Sequence, residues 1–154
     1  MIYTFIPALF PLFFCVGSTG ESKNKQLLKR FYHEVYKNWK METADQLLSP
    51  DFVSHDWPAG QKGPQAFRNY YKVFKNAIPD ASYEVMDMIA DGDRVAVRWV
   101  MYGTYRASFP GIDIPPAGQK VELKGVAIYR VENEMLVERW VISDLYELLV
   151  KLQN

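Results

Sequence analysis

Only one cysteine, Cys15, occurs in the 154 residues, so the chain closes no internal disulfide and the remainder has no thiolate nucleophile. Only two histidines are present, His33 and His55, and no H-x-H, H-E-x-x-H or cysteine pair accompanies them. No metal site is therefore expected. The sequence also lacks G-x-G-x-x-G, a P-loop and G-x-S-x-G, which leaves dinucleotide binding, nucleotide hydrolysis and serine-hydrolase chemistry unsupported; no cofactor is expected. An excess of either charge is missing too: 18 basic residues balance 18 acidic ones. That excludes the basic footprint of a nucleic-acid partner or of an anionic membrane surface.

Charge is missing altogether from the first twenty residues, MIYTFIPALFPLFFCVGSTG. The apolar run from Ile2 to about Phe14 is too short to span a bilayer and contains two prolines. Small residues follow at Gly17, Ser18 and Gly20, the form of a secretory h-region and its cleavage site. Residues 1–20 thus read as a signal peptide and 21–154 as a single folded domain, which places the protein in the periplasm or outside the cell. The n-region carries neither Lys nor Arg, so a mis-chosen start codon or a retained membrane anchor is the alternative. Lipid attachment at Cys15 is disfavoured by the bulky Phe13 and Phe14 before it.

What remains is ordinary for one globular domain, with 49% hydrophobic and 23% charged residues. Aromatic residues are abundant, with 10 tyrosines and 4 tryptophans, as a core wrapped around an organic ligand would require and as a bulky core also shows. Between Lys23 and Trp39 apolar residues recur at Leu27, Leu28, Phe31, Tyr32, Val35, Tyr36 and Trp39, which predicts an amphipathic helix. A short helix over Glu42 to Leu48 is stopped by Ser49 and Pro50. A third helix opens at Gly63 and Pro64 and presents Phe67, Tyr70, Tyr71, Phe74 and Ala77. Two hairpins follow, one turned at Asp91 and Gly92, the other at Asn133 and Glu134, and a short helix, LYELLVKL, closes the chain. The fold class expected is segregated α+β: three N-terminal helices packed in a curved, mostly antiparallel sheet, with a short C-terminal helix.

A two-residue turn at Asn133 and Glu134 sets a register in which Ala127 faces Trp140, Gly125 faces Ile142 and Leu123 faces Asp144. Small residues opposite Trp140 and Ile142 leave room on that face, and Asp144 shares it. The other face would carry Val126, Ile128, Val137 and Val141, with Arg98 and Arg130, and is apolar enough to pack on a second subunit. Asp144 itself has two readings. Asp144-Leu145-Tyr146-Glu147 has the D-x-x-E form of a capping box, and the same carboxylate in an apolar pocket could act as an acid/base.

RFYHEVYKNWK, DQLLSPDFVSHD, AIPDASYEVMDMIADGDRVAVRWVMYGTY, IPPAGQKVELKGVAIYRVENEMLVERWVISD and LYELLVKL, in this order, resemble the SnoaL-like polyketide cyclase (ester cyclase) family of the nuclear transport factor 2-like superfamily. The resemblance covers nearly everything after residue 24 and implies a cone-shaped domain, a form that hosts isomerases, cyclases, dehydratases and non-enzymatic binders. It also implies that Asp144, four residues after Trp140, matches the acid/base aspartate of the family's cyclases, and that His55 matches a histidine frequent in its F-V-x-H segment. Where the family commonly shows Gly-Thr-His, this chain has Gly103, Thr104 and Tyr105, a phenol in place of an imidazole.

These residues define an expected site. Asp144 and His55 are the catalytic candidates. Tyr105 and Tyr32 or Tyr36 are further donors, and Phe74, Trp99, Met101, Trp140 and Ile142 form the walls. For each tyrosine and wall residue, plain core packing is the alternative, and for His55 a turn-stabilising contact. The partner expected is a small apolar or aromatic organic ligand, within a homodimer joined through the sheet face. The chemistry would be a cofactor-independent, aldol-type cyclisation or isomerisation, in which a carboxylate removes a proton next to a carbonyl. The rival is an exported, non-catalytic ligand-binding protein, and a third possibility is an interaction module working through its second sheet face.

Overall fold

The computed structural model describes residues 19–110 and 113–153, with side chains described from Lys23 on. The proposed signal segment lies almost wholly outside the described residues. Nine elements follow one another: α1 (Thr19–Phe31), α2 (Met41–Leu47), β1 (Leu48–Ser54), α3 (Gly63–Ala77), β2 (Ser82–Asp91), β3 (Arg94–Thr104), β4 (Lys120–Glu132), β5 (Met135–Ser143) and α4 (Leu145–Gln153). The strands form one sheet in the order β1-β5-β4-β3-β2, antiparallel except where β1 runs parallel to β5. The α+β class agrees with the expectation; the piece preceding His55, DFVS, is the end of a full edge strand.

The first helix departs from its expected form. After Phe31 it widens into a π-helical turn, Tyr32–Lys37, which ends at Trp39 with a positive φ of 56°. The Trp39 N–H donates to the Val35 carbonyl at 3.1 Å and the Lys40 N–H to the Glu34 carbonyl at 2.9 Å, so carbonyls freed at the helix end are satisfied. The turn packs Tyr32 against Tyr36, with ring centroids 4.8 Å apart and the rings inclined at 48°, and buries both. Such π turns recur at functional sites.

Asn133 and Glu134 form the expected two-residue turn, with φ values of 50° and 60°, as a type I′ hairpin requires. The register that follows is nevertheless different. Glu132 pairs with Met135 and Val131 with Leu136, but Arg130 pairs with Glu138, so Val137 is an extra residue bulged out of β5. Beyond it Ile128 faces Trp140, Val126 faces Ile142 and Gly125 faces Ser143. A slip of one residue exchanges the two faces of a strand. Arg139 and Val141 therefore turn inward, while Trp140 and Ile142 turn out; Ile142 is 81% exposed.

The helices fill the concave side of the sheet. Phe31, Tyr32, Val35 and Tyr36 meet Val95, Val97, Trp99, Ala127 and Tyr129 there, and Phe52, Phe67 and Leu136 complete the buried layer. Glycine is required at one inward position of β4. A Cβ on Gly125 would lie 2.4 Å from the Trp99 ring, so the missing side chain is what lets the indole lie flat on the sheet.

Candidate functional site

An internal cavity of about 210 Å³ opens between the helices and the concave sheet face. Six tyrosines reach it: Tyr32 and Tyr36 from the π turn, Tyr70 and Tyr71 from α3, Tyr83 from β2 and Tyr129 from β4. Trp99, Phe74, Leu123, Ala127, Val141 and Leu145 supply apolar wall, and Asp56, Arg139 and Ser143 the remaining polar groups. A more open apolar depression of about 450 Å³ lies alongside and shares Tyr70, Phe74 and Leu145 with it, so those three side chains border both spaces.

Arg139, 1% exposed, organises the polar end. Each of its three guanidinium nitrogens has a partner. Nε donates to the Ser54 hydroxyl at 2.7 Å, one terminal nitrogen to the Tyr36 and Tyr71 hydroxyls at 2.8 Å each, and the other to both Asp56 oxygens at 3.2 Å. The Ser54 hydroxyl also donates to Asp56. The ring faces of Trp57 and Tyr71 lie 5.6 and 5.7 Å from the guanidinium carbon. Burial opposes the charge on Arg139, but Tyr71, Tyr36, Tyr129 and Asp56 outweigh it and hold the proton on the guanidinium. Burial also pushes the hydroxyls of Tyr32, Tyr36, Tyr71, Tyr83 and Tyr129 well above the ordinary phenol value of 10.0. Burial and then the Asp56 charge raise that of Tyr70. At neutral pH the cavity thus presents neutral phenols, with its one cation paired.

Of the residues nominated from sequence, Tyr32, Tyr36, Phe74 and Trp99 line the cavity. Met101 is fully buried in the core but off the cavity wall. Tyr105 is also fully buried; its hydroxyl donates to the Ile114 carbonyl at 3.0 Å and its ring stacks on Phe109. The outward turn of β5 removes Trp140 and Ile142 from the cavity. His55 goes with them: its ring stacks on Trp140 with centroids 4.7 Å apart, and Nε2 lies 3.6 Å from a Glu138 oxygen.

Asp144 likewise lies away from the cavity, in a depression on the convex face that includes Ile142, Val126 and Lys124. It extends the strand ladder instead. Its N–H donates to the Lys124 carbonyl at 3.0 Å, and its carboxylate accepts from the Lys124 N–H at 2.7 Å, where a backbone carbonyl would otherwise stand. The capping box does not close, since Glu147 pairs with Lys151 at 2.6 Å.

Sequence reasoning missed Arg139, Asp56, Tyr71, Tyr83, Tyr129 and Ser143. Tyr129 had a signal, because it lies two residues from Ala127 on a face already taken as inward. Asp56 had none, since it meets Arg139 from a loop 83 residues away.

The sequence model of the SnoaL-like polyketide cyclase family matches residues 26–152. Among solved structures, IdmH from Streptomyces antibioticus is 28% identical, with a TM-score of 0.73 over 85% of this chain and 99% of its own. TsrD from Streptomyces laurentii is 22% identical, with a TM-score of 0.75 over 85% and 95%. A protein described as a SnoaL-like polyketide cyclase, from Jannaschia sp. CCS1, is 20% identical, with a TM-score of 0.76 over 86% and 93%. No curated protein matches the chain at a significant level. With its cone of helices in a curved sheet and a family match across nearly the whole folded domain, the chain belongs to the SnoaL-like polyketide cyclase family and has the nuclear transport factor 2-like fold.

Proposed function

We propose that the protein binds a small, uncharged, largely apolar or aromatic organic molecule in the tyrosine-lined cavity. The observation that carries this reading is the burial and pairing of Arg139. With Arg139 buried, every guanidinium nitrogen bonded to Ser54, Tyr36, Tyr71 or Asp56, and its charge paired with Asp56, the cavity offers no unpaired cation to an anionic ligand, and most of what faces the space is phenol and hydrocarbon. Titrating isotope-labelled protein with neutral bicyclic compounds tests it: shifts should concentrate at Ala127, Val141 and Leu123. Ala127→Phe, which fills the space, should abolish them while the fold persists. Shifts confined to the convex face would overturn the reading.

A cofactor-independent cyclase or isomerase is the second reading, favoured by the presence of a carboxylate, Asp56, on the cavity wall. Proton abstraction next to a carbonyl needs such a base within reach. Loss of turnover in Asp56→Asn with ligand binding retained is the result this reading requires; the non-catalytic reading requires that no turnover exist to lose.

The convex sheet face supports pairing with a second copy. Val126, Ile128 and Ile142 are exposed there and Ile89 is 64% exposed, forming an apolar centre around Trp140. Export rests on the sequence of residues 1–20 alone, and intact-mass measurement of the secreted form tests it.

A further inference from the structure

Arg139 also sets the direction of a hydrogen-bond chain. A guanidinium only donates, so the oxygens of Tyr36 and Tyr71 that it touches are acceptors there, and their protons must point away from it. The Tyr71 hydroxyl donates to the Tyr36 oxygen at 2.8 Å. Tyr36, already accepting from both Arg139 and Tyr71, has its own proton left for Tyr129, 3.1 Å away. Tyr129 then donates to Tyr32 at 3.4 Å. The opposite direction would leave the Tyr71 proton stranded against the cation. In the direction the cation enforces, the unused proton is that of Tyr32, which meets no acceptor among the described residues and lies on the cavity wall.

We propose that Tyr32 selects the ligand: its O–H, at the far end of a phenol chain oriented by Arg139, donates to an uncharged carbonyl-type oxygen on the molecule in the cavity. The inference rests on the reading of the cavity as a ligand site and adds which atom is recognised. Each phenol polarises the next, so the terminal O–H is a stronger donor than an isolated tyrosine. The carboxylate of Asp56 neutralises Arg139, so the site favours a neutral acceptor over an anion.

Three bicyclic probes test this: 1-tetralone, which carries the carbonyl, tetralin, which lacks it, and 1-naphthoate, which is charged. Dissociation constants come from NMR titration, and the carbonyl is followed by the carbon-13 shift of labelled 1-tetralone. Wild-type protein should bind 1-tetralone about five- to tenfold more tightly than tetralin, the effect of one hydrogen bond, and 1-naphthoate most weakly. Tyr32→Phe should erase the preference, return the carbonyl shift toward its solution value and leave tetralin binding unchanged. Equal wild-type affinities for 1-tetralone and tetralin overturn the proposal. So does an equal loss for both in Tyr32→Phe, which would mean packing, and so does tightest binding of 1-naphthoate. If no probe perturbs the Ala127 methyl, the ligand-site reading itself fails, and the inference falls with it.

Discussion

Asp56 and Arg139, 83 residues apart in sequence, form a two-point ion pair at the polar end of the cavity, and only the aspartate side of it reaches water. The arginine side chain is 2% exposed and the aspartate 24%. Removing one partner leaves the other desolvated and unpaired. Arg139→Met should therefore cost about 3 kcal/mol, near the low end for buried pairs because Asp56 keeps some solvent. Adding Asp56→Leu should recover part of that loss, as urea unfolding of the single and double variants will show.

Arg139 turns inward because Val137 is bulged out of the ladder rather than paired in it. Deleting Val137 leaves Glu138 opposite Arg130, Arg139 opposite Tyr129 and Trp140 opposite Ile128 in an unbulged ladder, so the faces of β5 should be kept. The deletion variant should retain a cooperative thermal transition and a dispersed NMR spectrum. Loss of both would show that the bulge itself, and not only the register it sets, is needed to fit β5 to its neighbours.

Alkaline titration should report on the buried phenols. Tyr32, Tyr36, Tyr71, Tyr83 and Tyr129 have hydroxyls raised by burial above the ordinary 10.0, so the folded state holds protons that the unfolded state releases. Their contribution to stability is complete below pH 10 and is lost as pH rises above it. Phenolate absorbance from these five should appear only above pH 10, in a step that coincides with unfolding.

The acid side has a different origin. The Thr104 hydroxyl and N–H both donate to Asp80 at 2.7 Å and hold its carboxyl below the ordinary 3.8. This stabilisation is present above pH 3.8 and is lost as pH falls through the lower folded value. Asp80→Asn should lower the melting temperature at pH 7, and the gap from wild type should shrink at pH 3.

Val126 and Val141 give opposite results if the convex face joins two copies. Val126→Lys should yield a monomer by sedimentation with little loss of stability, because Val126 is 42% exposed. Val141→Lys places a charge against the cavity and should destabilise the protein by several kcal/mol at any oligomeric state. A wild type that sediments as a monomer at micromolar concentration overturns the dimer.

The local periodicities of the chain determined its helices, its hairpins and the α+β class, because each depends on residues within a few positions of one another. The same local pattern placed Tyr32, Tyr36, Phe74 and Trp99 on faces that turn inward. It could not place β5. One bulged valine reverses that strand, and a bulge arises from how β5 fits β4 on one side and β1 on the other, which no turn signal between Glu132 and Met135 records. For that reason Trp140 looked like a pocket wall and nothing marked Arg139 as an inward residue, when Arg139 points into the cavity and Trp140 away from it. Only the tertiary structure brings Asp56 and Ser54 from β1 and its following loop, and Tyr71 from α3, to the single point where a buried guanidinium can be satisfied, because contacts across such separations are decided by packing of the whole sheet against the helices.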